Sequence, residues 1–133
     1  MTLGIGIVQI NVTDLDEAWR FYVERLGFRG KRIFGPGKAF AIEPGRPGPT
    51  ILVYSVARLV NRDYPRETGV TIVFFTEDLQ STIRDWRLKD VCFVPIEWAR
   101  DETGVGDSPF GRFIGFRDPF GNVHELMEPR RPL

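Results

Sequence analysis

The apolar positions of this chain change their period as it is read, and the changes mark out its elements. Residues 5–12, IGIVQINV, are β-branched with partial alternation, which predicts a strand. The period then becomes helical over TDLDEAWRFYVERLGF, where Leu15, Ala18, Trp19, Tyr22 and Leu26 recur on one face. Asp14 followed three residues later by Glu17 resembles a capping box, and Gly27 supplies a stop. Three short strands are expected next, GKRIF, KAFAIE and TILVYS, separated by the turn-forming GPG and PGRPGP.

The pattern then starts again. GVTIVFF (69–75) reads as a strand, and TEDLQSTIRDWRL as a helix with Leu79, Ile83 and Trp86 on one face. Asp14-Leu15 and Asp78-Leu79 match at an offset of 64 residues. Strands are expected at VCFVPIEW, GRFIGFR and NVHELME, so each half reads strand–helix–three strands. The expected division is a first module over about residues 1–57, a linker over about 58–67 and a second module over about 68–133, together forming one domain. Two copies are too few for a solenoid. The expected fold is α+β, with two βαβββ modules forming curved mixed sheets around a concave cleft.

Composition narrows the partners. Eighteen basic and eighteen acidic side chains cancel without forming a basic stripe, so nucleic acid is not expected. No apolar run approaches a membrane span and no signal-peptide pattern is seen, so the expected location is the cytoplasm, with no membrane partner. A single cysteine, Cys92, rules out an intrachain disulfide. It lies in the apolar run VCFVP and is expected to be buried and inert.

Two stretches, VTDLDEAWRFYVERLGF and FRDPFGNVHELMEP, carry a resemblance to the vicinal oxygen chelate superfamily. This superfamily includes glyoxalase I, bleomycin-resistance proteins and extradiol dioxygenases. The second stretch is similar to the family's FxDPxGNxxEL hairpin, and the paired-module order covers nearly the whole chain. The resemblance implies a homodimer and a ligand cleft, but one scaffold hosts many activities.

Where members of this superfamily hold a metal, they use four strand positions. Carried over by resemblance, these are Ile7, Leu52, Thr71 and Glu125, and the repeat offset independently pairs Ile7 with Thr71. Only Glu125 is a good ligand for a divalent ion. Neither a metal nor any other cofactor is therefore expected. His124, the one histidine in the chain, sits beside Glu125 in sequence, but alternation on a strand turns it to the opposite face. It is expected to be structural.

The hairpin is expected to pair Arg117 with Asn122, placing Ile114 opposite Glu125 and Arg112 opposite Met127. The face carrying Glu125 would then include Arg112, Ile114, Phe116, Val123 and Met127. With Gln9, Asn11, Tyr54, Thr71 and Phe75 from other strands, the expected lining is apolar and aromatic with a few polar groups, suited to a small molecule. Trp98 is expected to end the sixth strand and to stack on a flat ligand at its mouth. Glu125 is the candidate catalytic residue, since an apolar setting raises a carboxyl pKa. A close Arg112 would instead make a buried ion pair.

Two functions remain open, and a non-catalytic interaction domain is a third possibility. One is metal-independent binding of a small apolar or aromatic molecule, as in the bleomycin-resistance branch. The other is a lyase, isomerase or dioxygenase-type enzyme that uses Glu125 as a base or a non-standard ligand set such as Gln9 with Glu125.

Overall fold

A computed structural model describes residues 7–33, 37–43, 45, 48–58 and 71–130. The chain divides into two compact units, Met1–Arg62 and Asp63–Leu133, each built around its own sheet. The architecture is α+β, with two open mixed sheets. The expected linker, residues 58–67, lies outside the described residues except for Arg58.

The first unit begins with strand β1 (Ile7–Val12). Asp14 then caps helix α1 (Leu15–Trp19), its carboxylate accepting a hydrogen bond from the Glu17 backbone N–H at 3.0 Å. The helix widens into a π-helical turn over Arg20–Arg25 that buries Phe21 and Tyr22. It ends at Gly27, whose φ of 85° suits a residue without a Cβ. Strands β2 (Gly30–Ile33), β3 (Ala39–Ile42) and β4 (Thr50–Ser55) complete a sheet in the order β1-β4-β3-β2. β1 runs parallel to β4, and the other pairs are antiparallel. Alternation sends Ile10, Val12, Phe40, Ile42, Ile51 and Val53 into the core. Trp19 meets Phe40 there edge-on at 5.1 Å. The opposite face carries Ile7, Gln9 and Asn11, which are exposed.

The second unit repeats this plan with β5 (Val73–Phe75), α2 (Leu79–Leu88), β6 (Cys92–Val94), β7 (Gly106–Asp107), β8 (Gly111–Arg117) and β9 (Val123–Pro129). The sheet order is β5-β9-β8-β6, with β7 also pairing to β8. Asp78 caps α2 by accepting from the Ser81 N–H at 3.0 Å. A Glu128 carboxylate oxygen accepts from the Leu79 N–H at 3.0 Å and ties the helix to β9. Leu79, Ile83 and Trp86 are buried from α2, and each such side chain contributes about 1.5–3 kcal/mol.

Several expectations are corrected here. β6 stops at Val94, because Pro95 has no N–H to extend the ladder, so Trp98 lies in a turn and does not end a strand. β5 begins at Val73, leaving Thr71 before the strand. Strand β7 falls within what reads as a polar loop. Cys92 is exposed, because the apolar run around it puts Phe93 toward the helix and Cys92 on the other face.

The hairpin register differs by one residue from the expected one. Arg117 pairs with Val123, Phe116 with His124, Gly115 with Glu125 and Arg112 with Glu128. The cause is Asp118, which is buried and organises a five-residue turn. One of its carboxylate oxygens accepts from Phe120 N at 2.9 Å and Asn122 N at 2.8 Å, and the other accepts from Asn122 Nδ2 at 2.6 Å. A one-residue slip exchanges the faces of one strand relative to the other.

Candidate functional site: the face of the second sheet that carries Glu125

Strand pairing fixes which side chains share a face. Across the second sheet, Val73, Glu125, Gly115 and Val94 form one row. Beside it runs a row of Phe75, Met127, Phe113 and Gly106. On the other side are Val123, Arg117 and Cys92. Glu125 is thus surrounded mainly by hydrocarbon, and its own N–H donates to the Ile72 carbonyl at 2.9 Å. Burial raises its carboxyl above the ordinary value of 4.5, although the side chain remains half-buried and reachable.

The reverse face is the core beneath α2. His124 is only 4% exposed and sits edge-on to Phe74, with ring centroids 5.5 Å apart. Phe116 lies 5.4 Å from the same imidazole and 5.1 Å from Trp86. Desolvation lowers the His124 pKa from 6.5 to about 4, so the ring is neutral near pH 7. His124 and Glu125 therefore belong to opposite faces and do not form an acid–base pair.

The slip in register corrects the expected lining. Phe116 is fully buried in the helix-side core, Ile114 lies with it, and Arg112 projects from that face beside Glu128. None of the three joins Glu125, so the alternative of a buried Arg112–Glu125 ion pair is not realised. Phe75 and Met127 do share its face. Trp98 reaches that side by another route: it is 59% exposed and braces its ring against Phe113, with centroids 5.6 Å apart. Gly115, which flanks Glu125, and Val94, beyond it in the same row, were missed. Their signal would have been the length of the turn.

In the first unit, Gln9 pairs with Leu52 and Asn11 with Tyr54 on one face. The Gln9 amide donates to Asn11 Oδ1 at 2.8 Å. Ile7 stands beside them, 65% exposed.

The donor set does not fit a metal. Of the carried-over positions, Ile7 and Leu52 present hydrocarbon and Thr71 a neutral hydroxyl, leaving Glu125 as the one strong ligand. Among the described residues, no three His, Cys, Asp or Glu side chains gather closely enough to hold an ion. No chemical step is therefore assigned to a metal.

Comparison with known proteins supplies the family. The sequence profile of the Glyoxalase/Bleomycin resistance protein/Dioxygenase superfamily matches residues 4–126. The chain belongs to this superfamily. Its fold is similar to that of UcmS2, with a TM-score of 0.71 and 24% identity, over 96% of this chain and 99% of that one. TnmS3, an antibiotic binding protein from Streptomyces sp. CB03234, has a TM-score of 0.68 and 20% identity over 96% and 97% of the two chains. The fosfomycin resistance protein FosX from Listeria monocytogenes has a TM-score of 0.65 and 19% identity over 96% and 93%. At these identities the likeness establishes the fold. No curated protein matches the sequence. Among the described residues, no helix is long and apolar enough to cross a membrane.

Proposed function

We propose that this superfamily member binds a small apolar or aromatic molecule without requiring a metal. The observation that carries this reading is the row Val73–Glu125–Gly115–Val94, in which the desolvated carboxyl is the one polar side chain, with Arg117 in the adjoining row. Such a face offers contact area to an apolar ligand and one polar group to orient it. The printed descriptions of TnmS3 and FosX, antibiotic binding and fosfomycin resistance, are compatible with this use of the scaffold. The working form is proposed to be a cytoplasmic homodimer of chains that each carry two modules, since exposed Ile7 and Val73 leave apolar surface for a second copy to cover.

The test is a binding screen on protein purified without chelator, with bound metals measured on the same sample. Saturable binding that survives EDTA and weakens in the Glu125→Ala variant is expected. Binding that needs an added divalent ion would overturn the reading.

A second reading rests on the raised carboxyl of Glu125, which suits a general base. It requires turnover of a bound compound, with Glu125→Gln abolishing the reaction while leaving the fold intact. Full activity in that variant would rule out the residue as the base.

A further inference from the structure

The border of the second sheet holds a cavity separate in composition from the Glu125 row. Its volume is about 480 Å³, and Trp98, Arg100, Asp101, Val105, Asp107 and Arg112 are among its lining residues. That size falls within the range of roughly 300–1,000 Å³ typical of small-molecule sites.

The loop forming the cavity is held at its neck. Ile96 N donates to the Gly104 carbonyl at 2.8 Å, and Gly104, at a φ of 75°, lies against Pro95 so closely that a Cβ would come within 2.8 Å of the proline ring. Gly106 forms part of the lining and is fitted between Ile96 and Phe113, where a Cβ would lie 3.0 Å from one and 3.1 Å from the other. The cavity wall is therefore shaped before any ligand arrives.

Its charges are not equivalent. Asp107 is engaged by the guanidinium of Arg130. Asp101 accepts hydrogen bonds from the backbone N–H of Thr103, at 3.1 Å, and from its hydroxyl. Those hydrogen bonds, followed by the charge of Arg112, hold the Asp101 carboxyl below its usual range. Both carboxylates are thus already compensated. Arg100 and Arg112 line the cavity with exposed side chains, and the charge of Arg112 acts on Asp101. Arg112 stands across the ladder from Asp107, which Arg130 occupies. The exposed indole of Trp98 lines the same cavity.

From this arrangement we infer that the border cavity is a recognition site for an aromatic carboxylate, with the ring lying against Trp98 and the carboxylate on the guanidinium of Arg112. A guanidinium matches a carboxylate through two parallel hydrogen bonds, and an indole offers a broad flat contact to an aromatic ring. A bare inorganic anion would leave the indole unused. A neutral aromatic compound would leave the arginines unused.

The test is a fluorescence titration of the full chain with 2-naphthoate, with 2-naphthylmethanol, cyclohexanecarboxylate and inorganic phosphate as comparators. Saturable binding of naphthoate is expected, weakening as salt rises. Replacing the charged partner by a neutral one, in Arg112→Gln or in 2-naphthylmethanol, should weaken binding about tenfold, the scale of one charge-assisted contact. Trp98→Ala, followed by calorimetry because it removes a reporter, should weaken it comparably. Arg112→Lys should recover only part of the loss. Thermal midpoints of the variants separate lost binding from lost fold, and both side chains are exposed. Absence of saturation overturns the assignment. So does equal affinity for the alcohol, phosphate binding as tight as naphthoate, or full affinity in Arg112→Gln.

Discussion

Glu125 stands directly across the β8–β9 ladder from Gly115, a position with no side chain to shield or pair with its carboxyl. The raised pKa of Glu125 follows from burial. In the unfolded chain the carboxyl ionises near its ordinary value of 4.5, while in the fold it holds its proton to higher pH. Its stabilising contribution is complete below 4.5 and is lost as pH rises through the raised folded value. At neutral pH the wild type therefore carries a desolvated charge that Glu125→Gln lacks. The variant should unfold at higher urea than wild type at about pH 7 and match it at about pH 4. A variant less stable than wild type at neutrality would show that the charge has a stabilising partner.

Gly115 serves the sheet as well as the site. A Cβ there would lie 2.9 Å from the Val94 carbonyl oxygen and 3.1 Å from Val94 Cβ. Gly115→Ala must push β6 outward and should destabilise by about 1–3 kcal/mol, the scale of overpacking. Chemical denaturation measures this directly. An unchanged midpoint would mean that β6 yields freely.

The buried imidazole of His124 gives stability a dependence on acid. Above 6.5 the ring is neutral in both folded and unfolded chains. As pH falls from 6.5 toward about 4, only the unfolded chain takes up this proton, so stability is lost across that window. The loss approaches about 1.4 kcal/mol per pH unit at its steepest and is of order 3 kcal/mol in all. His124→Phe should lose less stability than wild type between about pH 7 and pH 5, as urea midpoints would show. Parallel losses in the two proteins would remove His124 as the cause.

Asp118 sets the turn, and through it the register. Asp118→Ala withdraws the acceptor for the backbone N–H groups of Phe120 and Asn122 and for the Asn122 amide, in a mostly buried setting. A loss of about 2–3 kcal/mol is expected, with Asp118→Asn milder because its side-chain oxygen still accepts. Equal stability in the alanine variant would show that the turn forms without this carboxylate.

Much of the architecture was legible because it depends on local chemistry. The helix starts were visible in Asp14 and Asp78, whose carboxylates do cap, and the first helix end in Gly27. The placement of His124 followed from strand alternation alone. The lining of the site was less legible, because it depends on the length of one turn. The sequence DPFG suggests a tight hairpin, whereas the side-chain hydrogen bonds of Asp118 enclose one residue more. That single residue moves Arg112, Ile114 and Phe116 to the far side of the sheet from Glu125. The exposure of Cys92 was hidden for a related reason. An apolar run reads as buried on both faces, while β6 is covered on the Phe93 side, where Trp86 stacks.

β6 and β7 occupy the same side of β8 as two fragments, three and two residues long, separated by the Trp98 loop. Neither fragment presents a long run of free backbone donors and acceptors. A neighbouring molecule seeking to extend the sheet there would meet an interruption after a few residues. The loop that builds the cavity therefore also leaves this border with less continuous backbone for pairing than one long edge strand would offer.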